Sequence, residues 1–438
     1  MKIPQTPPNV SEVFKKNINA DLSLLRSPEI MTFIQECNRK YLSWDELRYK
    51  KIPLDKNPEL IWIFLKMFRS QQYKKFSFNN WTFYYTLLSD SLRKIHILDK
   101  GTAGNIEIGF ESINIEGKDK YIISSLMEEA IASSQIEGAA TTRKIAKEIL
   151  RLNKKPKNDS EQMIVNGYRT MQRIVKIKDK KITPELVLEL QKQITENTLK
   201  DPQDEGIFRD NNEVVVGDKL APEVIYHVPP DYKEINHLMK QFCDFASDDD
   251  HEFIHPIIKG IILHFLIGYI HPFNDGNGRT ARTIFYWYVL TRGYWLFEFM
   301  SVSRILLRSK KDYGLAYLYT ETDDNDLTYF INYNLTAIEE ALHDTEEYIA
   351  RKQKEQTEAM KLIHGLKDVN LRQAEILKEF TKSPDKNFVI NEIMSIYGVV
   401  YQTARSDLLY LEDLGYIKKI KSKNKYLFKL VKYPQPHP

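Results

Sequence analysis

Residues 271–282 read His-Pro-Phe-Asn-Asp-Gly-Asn-Gly-Arg-Thr-Ala-Arg. They combine the groups that transfer chemistry on a nucleotide phosphate requires. His271 offers an imidazole that titrates near neutral pH and can take a proton from an attacking hydroxyl. Asp275 offers a hard oxygen ligand to Mg²⁺, which rarely takes more than one or two protein carboxylates. Gly276 and Gly278 let the backbone approach closely and turn its N–H groups inward. Arg279 and Arg282 are forked cations suited to phosphate oxygens. The uncharged run at residues 283–290 predicts a helix whose N-terminus points at the bound anion. A plain polar loop would need Gly and Asn, but not His, Asp and two Arg in register.

Two other motifs compete. Gly276-Asn-Gly278-Arg-Thr-Ala281 fits a relaxed dinucleotide-binding pattern, with Glu298 at a distance suited to a ribose contact. That pattern requires a βαβ setting, and the flanks here read as helical. His251-Glu-Phe-Ile-His255 matches a zinc-protease pattern, which must lie inside a helix so that both His share a face. Three aspartates precede it and Pro256 follows it, which is the composition of a helix start. His264, further along, reads as a packed core histidine.

The 271–282 segment resembles the signature of the Fic family, His-x-Phe-x-Asp/Glu-Gly-Asn-Gly-Arg-x-x-Arg. His271, Phe273, Asp275, Gly276, Asn277, Gly278, Arg279 and Arg282 fill every fixed position. The resemblance covers roughly residues 120–345 and implies transfer of AMP from ATP to a hydroxyl of a target protein. By resemblance, His271 is the general base and Asp275 holds Mg²⁺ between the α- and β-phosphates. The backbone of Gly276, Asn277 and Gly278 cradles those phosphates, with Asn277 near the transferred α-phosphoryl. Arg279 steadies the β-phosphate and Arg282 the γ-phosphate, while Phe273 packs into the core.

Ser133-Ser134-Gln135-Ile136-Glu137-Gly138 resembles the family's inhibitory motif, placed upstream of the core. The resemblance implies that Glu137 pairs with Arg282 and occupies the γ-phosphate position. The other reading is a helix C-terminus with Glu137 exposed and Gly138 as terminator. In some relatives the same glutamate helps remove AMP, so addition and removal both stay open. Glu213, Val214, Val215, Val216 and Gly217 resemble the family's flap, whose edge pairs with an extended target segment; a plain structural hairpin is the alternative. Arg209, in Gly206-Ile-Phe-Arg209, is expected to pair with a buried acid. Tyr313 and Tyr317 are the candidates for packing against adenine, although aromatics at helical spacing also serve as core. ATP is favoured, with other nucleotides or phosphocholine open.

These residues need a scaffold, and the chain is long enough to give one. Its 438 residues suit two to four domains with a large core. The 28% charged and 42% hydrophobic residues are ordinary, and the net charge of +3 implies no nucleic-acid partner for the whole chain. Two distant cysteines, Cys37 and Cys243, suggest a reducing compartment. No apolar run is long enough to span a membrane, and the start carries no signal-peptide core, so a cytoplasmic protein is expected.

The expected fold is mainly α: a Fic-type helical core with a small β-hairpin flap, plus a C-terminal winged helix-turn-helix. The expected units are an N-terminal helical region (1–115), the catalytic core with its inhibitory helix (116–350), a linker helix (351–365) and the winged unit (366–438). Helices are predicted at 60–65, 121–151 with a break near Gly138, 159–175 capped by Asp159 or Ser160, from Thr183, from Tyr232 and at 256–270. A loop is expected at 101–104, and a hairpin at 213–217 and 224–228. In the C-terminal unit, helices at 371–380, 389–396 and 402–414 precede strands at 417–420 and 426–430. The third helix presents Gln402, Arg405 and Ser406. The wing carries Lys418, Lys419, Lys421, Lys423, Lys425, Lys429 and Lys432 with no acid between, which suits phosphate contacts. Such units also serve as protein-binding modules, and lysines also protect a hairpin edge.

Two functions follow. One is a self-inhibited protein adenylyltransferase that also modifies itself or removes AMP. The other is a DNA-binding transcriptional regulator whose core senses nucleotide. The implied partners are ATP, a target protein with an acceptor hydroxyl and, through the C-terminal unit, double-stranded DNA, with a homodimer open and no membrane.

Overall fold

A computed structural model describes residues 2–9, 12, 25–102, 115–218, 221, 223–247, 252–363, 369–384, 386–422 and 425–431. The architecture is helical, with short antiparallel hairpins. The N-terminal part contains α1 (Pro28–Lys40), the single turn α2 (Trp44–Leu47) and α3 (Pro58–Ser70), followed by β1 (Lys74–Phe78), β2 (Trp81–Tyr85) and α4 (Ser89–Thr102). Of the expected 101–104 loop, Gly101 and Thr102 are the last turn of α4, and residues 103 and 104 lie outside the described residues.

The β1–β2 hairpin was not expected. Asn79, at φ 50°, turns the chain, and Phe76 faces Phe83 across the strands. Asn tolerates this left-handed conformation better than most residues. Phe76 also stacks on Phe245, and Phe83 packs edge-on against Phe265, so the hairpin is a wall of the core. A buried polar cluster ties α1 and α3 to the same core. Lys66 Nζ lies 2.8 Å from Asp323 Oδ1, and the Tyr41 and Tyr73 hydroxyls donate to Asp326 at 2.6 and 2.7 Å. Buried charges of this kind persist when each is paired and hydrogen-bonded.

The core follows: α5 (Ile115–Ile136), α6 (Arg143–Leu152), α7 (Asp159–Lys176) and α8 (Pro184–Thr195). Asn158, rather than Asp159 or Ser160, caps α7, accepting the Glu161 N–H at 3.0 Å. Thr183 caps α8 and Pro184 opens it, as the sequence predicts. The hairpin of β3 (Val216–Gly217) and β4 (Ile225–His227) is shorter than expected. Its register breaks between Val216 and Gly217, which limits the ladder.

Next come α9 (Ile235–Ser247), α10 (Pro256–Ile270), α11 (Asn277–Thr291), α12 (Val302–Arg308), α13 (Lys310–Thr322) and α14 (Thr328–Ile363). Helix α10 is apolar on nearly every face and buried along its length, as a central core helix must be. A Cβ at Gly260 would lie 3.1 to 3.4 Å from Val289, Phe285 and Tyr288, so glycine here lets α11 pack closely on α10. Helix α11 starts at Asn277, six residues before the uncharged run that predicted it. Helix α14 runs unbroken through the expected boundary at 350, so the described part of the expected linker helix, up to Ile363, is its continuation.

The C-terminal part holds α15 (Leu371–Lys382), α16 (Ile390–Tyr397), α17 (Tyr401–Asp413), β5 (Ile417–Ser422) and β6 (Lys425–Leu430). It has its own core, including Ile376, Phe380, Ile393, Leu408 and Phe428. Gly398 ends α16 at φ 66°. Phe388 exchanges backbone hydrogen bonds with Phe428, which fixes the hairpin against the helices. Gln402, Arg405 and Ser406 are exposed on α17, and Lys418 and Lys421 are exposed on β5. Lys423, Lys432 and the side chain of Lys425 lie outside the described residues.

Cys37 and Cys243 are buried free thiols. Among the described residues no helix is long and apolar enough to cross a membrane.

Candidate active site

The 271–282 segment is the connection between α10 and α11, the two most intimately packed helices of the core. His271 ends α10 in the left-handed region at φ 49°. Its Nδ1 lies 3.2 Å from the Gly268 carbonyl. A carbonyl only accepts, so Nδ1 carries the hydrogen and Nε2 keeps its lone pair. Burial pushes the imidazole down to about 4, opposed in part by the Gly268 bond. His271 is therefore neutral at pH 7, the form a base requires.

Gly276, at φ 85°, is the N-cap of α11, and Asn277, Gly278 and Arg279 form its first turn. The first N–H groups of a helix lack intrahelical partners and carry the positive end of the dipole, so this turn is an anion seat. The Asn277 side chain is not part of that seat. Its Nδ2 donates to Phe273 O at 2.8 Å and its Oδ1 accepts from Phe273 N at 3.0 Å. The side chain staples the loop, leaving the backbone of Asn277 to face an anion. Phe273 is fully buried against Phe208, as expected.

Asp275 has 68% of its side chain exposed, with Oδ1 4.0 Å from Arg279. Among the described residues no cluster of three or more His, Cys, Asp or Glu is present. One accessible carboxylate beside an anion seat fits Mg²⁺, which keeps waters and substrate phosphates as its other ligands. It does not fit a closed structural zinc site. His255 of the zinc-protease pattern is the N-cap of α10, outside any helix interior, and His251 lies outside the described residues. The dinucleotide pattern is likewise flanked by helices, and Glu298 pairs with Lys178 at 3.4 Å.

Arg279 and Arg282 are almost fully buried. Arg279 donates to the Ile194 carbonyl at 2.9 Å. Arg282 is held from α5. Its Nε donates to Ser133 Oγ at 2.9 Å, and one terminal nitrogen reaches Ser133 O at 2.9 Å and Glu137 Oε1 at 2.8 Å. Burial works to raise the Glu137 carboxyl, but the charge and hydrogen bond of Arg282 outweigh it and hold it below the usual range. A Cβ on Gly278 would collide with Glu137 Oε1, so the carboxylate lies directly on the first turn of α11. Gly138, at φ 110°, turns the chain away.

Two residues brace the loop in ways the motifs did not reveal. Gln191, fully buried on α8, donates to Asp275 O at 3.1 Å and accepts the Gly206 N–H at 2.6 Å. Arg209 was expected to meet a buried acid and instead meets carbonyls. It donates to His271 O at 2.9 Å, Asn211 O at 2.8 Å and Pro230 O at 2.5 Å. One guanidinium fork thus joins the end of α10 to both stems of the β3–β4 hairpin. Arg209→Ala is expected to cost about 2–4 kcal/mol in urea unfolding, because several partly buried carbonyls lose a shared, charged donor. Arg209→Lys should not restore this, since an ammonium cannot span the fork.

The expected adenine contacts are placed otherwise. The Tyr313 hydroxyl is 2.7 Å from Nε2 of the buried His264, and burial pushes that histidine down to about 3. Tyr317 stacks on Phe265 and lies 4.4 Å from Phe330, centroid to centroid. Both tyrosines pack in the core beside His264, and Tyr313 also lies within reach of the Arg282 and Glu137 charges.

The site falls within a region shared with known proteins. Residues 181–289 match the Fic/DOC family. That stretch holds the whole 271–282 loop and ends well short of Glu137 on its N-terminal side. The protein adenylyltransferase Fic of Nematostella vectensis is 34% identical over 107 residues, 24% of this chain and 22% of that protein. Its counterpart in Drosophila willistoni is 34% identical over 113 residues, 26% of this chain and 20% of that protein. The chain thus matches about a fifth of the length of these curated relatives. A crystal structure of a Fic family protein from Desulfovibrio desulfuricans G20 superposes with a TM-score of 0.50 at 16% identity, covering 79% of this chain and 96% of that one. That likeness is one of fold.

Proposed function

We propose that this chain is a protein adenylyltransferase held inactive by its own Glu137. The observation that carries the reading is the joint placement of a neutral His271, the glycine-lined first turn of α11, and Arg282 already paired with a carboxylate. A base and an anion seat share one loop, and a carboxylate from the end of α5 lies on that seat where a phosphate would go.

In the reaction, a Ser, Thr or Tyr hydroxyl oxygen of a target attacks the α-phosphorus of ATP. His271 Nε2 takes the hydroxyl proton as the new P–O bond forms. The α–β bridging bond breaks, and pyrophosphate leaves. Positioning and charge neutralisation carry most of such a displacement. The α11 N–H groups receive the α/β-phosphates, Arg279 the β-phosphate and, once Glu137 moves, Arg282 the γ-phosphate. Mg²⁺ held by Asp275 would neutralise phosphate charge. Val215, Ile225 and Val228 are exposed on and beside the β3–β4 hairpin, which supports its use as a flap that receives an extended target segment.

The test is intact-protein mass after incubation with Mg²⁺-ATP of wild type, Glu137→Gly and Glu137→Gly/His271→Ala. An AMP adduct confined to Glu137→Gly supports transfer, base and brake together. No adduct on any variant, with none on supplied protein targets, counts against transfer and favours AMP removal or another nucleotide. The pH dependence follows from His271. Its neutral form persists down to about 4, so the Glu137→Gly rate should hold from about pH 8 to about pH 5 and fall below that as the ring protonates. A loss of rate already between about pH 7 and 6 would contradict this assignment.

A second reading concerns the C-terminal part, whose three helices and hairpin suit a winged helix-turn-helix. The exposed Gln402, Arg405 and Ser406 of α17 and the exposed lysines of β5 favour contact with duplex DNA. Binding of a duplex that weakens steeply with salt supports this, and binding indifferent to salt counts against it.

A further inference from the structure

Glu129 is the residue that calls for a function. It lies on α5 and is 1% exposed, and its carboxylate is held by hydroxyls and a backbone N–H, with the Arg282 charge nearby. Its Oε2 accepts from the Tyr286 hydroxyl at 2.9 Å, Ser301 Oγ at 3.1 Å and the Ser303 N–H at 3.0 Å, and its Oε1 accepts from Ser303 Oγ. Desolvation works against a buried carboxylate and pushes its pKa up. Such a group persists where its hydrogen bonds fix something in place.

What it fixes follows from the spacing. Glu129 and Ser133 lie four residues apart on α5, and Glu137 follows four residues later, just past its last turn. Gly278, Arg282 and Tyr286 recur every four residues on α11. Residues four apart share one face of a helix. The two faces meet in opposite order: Glu137 lies on Gly278 and Arg282, Ser133 bonds Arg282, and Glu129 bonds Tyr286. Glu137 and Glu129 are thus the two ends of one ladder between the same pair of helices. Ser301 and Ser303 extend the Glu129 end to the start of α12. At the other end, Lys310 Nζ donates to the Ile136 carbonyl, next to Glu137. A slide or rotation of α5 that withdrew Glu137 would have to break the Glu129 cluster.

We infer that Glu129 is the positioning residue of the brake: it sets the register of α5 on α11 and so holds Glu137 on Arg282 and Gly278. The inference rests on the self-inhibited reading and adds to it the element that must yield when inhibition is relieved.

The experiment measures AMP incorporation and the ATP dissociation constant for wild type, Glu137→Gly, Glu129→Ala, Glu129→Gln, Ser303→Ala and Glu129→Ala/Glu137→Gly, each checked by thermal melting. Glu129→Ala should raise incorporation about three-fold or more over wild type and tighten ATP, a partial release compared with Glu137→Gly. Glu129→Gln keeps an acceptor oxygen and should stay near wild type. Ser303→Ala removes one bond without touching the carboxylate, and it decides the matter if Glu129→Ala does not fold. The double variant should match Glu137→Gly alone, because a positioning residue has nothing to position once Glu137 is gone. If Glu137→Gly is activated while folded Glu129→Ala and Ser303→Ala are not, the inference is wrong and self-inhibition stands. A double variant less active than Glu137→Gly would also overturn it, since Glu129 would then serve the reaction itself. If Glu137→Gly is not activated, both readings fall.

Discussion

Glu137→Gly should raise AMP incorporation by about ten-fold or more over wild type, the equivalent of removing some 1.4 kcal/mol or more from the barrier. The carboxylate lies 2.8 Å from an Arg282 nitrogen, and its other face rests on Gly278. A phosphate arriving at the first turn of α11 therefore meets a negative charge, and its expected cation is already neutralised. Charge-assisted pairs of this type are among the stronger polar contacts. Removing the side chain leaves the Ser133 bonds to Arg282, so the guanidinium stays aimed at the vacated position. The fold should tolerate the change, because α5 ends at Ile136 and residue 137 lies past the helix interior where glycine is costly. Glu137→Gln separates charge from bulk. If charge is the obstacle, the amide releases most of the activity; if space is, it releases little. Equal rates for wild type and Glu137→Gly at matched ATP and Mg²⁺ would remove the brake from the account.

Much of this site was legible because its residues are rare in combination. His, Asp, two Gly and two Arg at fixed spacing have no common structural use, and the structure gathers them in one connection between two helices. The bounds of α10 were also legible, since Pro256 opens it and the apolar run ends at His271. The C-terminal helix ends fall beside Gly398 and Gly415, both at positive φ, which suits a helix terminus. The β1–β2 hairpin was hidden because Trp81, Phe83 and Tyr85 alternate with Thr82 and Tyr84, which blurs a period of two. Only the paired asparagines at 79 and 80 marked the turn.

The supports of the site were less visible than the site. Arg209 and Gln191 bind backbone carbonyls and N–H groups. Every residue has these, so apart from Asn212, whose Oδ1 accepts from Arg209 at 3.2 Å, no partner side chain marks the position in the sequence. Asn277 belongs to a motif that suggests ligand contact, yet its side chain is spent on the backbone of Phe273. Tyr313 and Tyr317 show the reverse ambiguity. Their helical spacing suits a base pocket or a core, and in the fold both rings pack around the buried His264 and Phe330. Glu129 gave a signal in its eight-residue distance from Glu137, two helical turns on one face. Its partners at 286, 301 and 303 lie more than 150 residues away and only folding brings them near.

In the Glu137→Gly background, loss of the His271 imidazole should cut AMP incorporation by roughly 10²–10⁴-fold, the usual contribution of a positioned general base. The residue also has a conformational duty, since it sits at φ 49° where a helix must turn into the anion loop. Alanine in that region costs roughly 1–2 kcal/mol, so His271→Ala alone could distort the loop and lose activity for the wrong reason. Asparagine tolerates the left-handed region and offers no comparable base. The two substitutions together therefore separate chemistry from geometry. If Nε2 accepts the proton, His271→Asn and His271→Ala lose incorporation alike, both retain the ATP affinity of the Glu137→Gly parent, and neither shows the acid limb near pH 4. If the residue only shapes the loop, His271→Asn keeps most of the activity. If instead ATP affinity falls in step with rate in both variants, the histidine serves the seating of phosphates, and the proton must leave the target hydroxyl by another route.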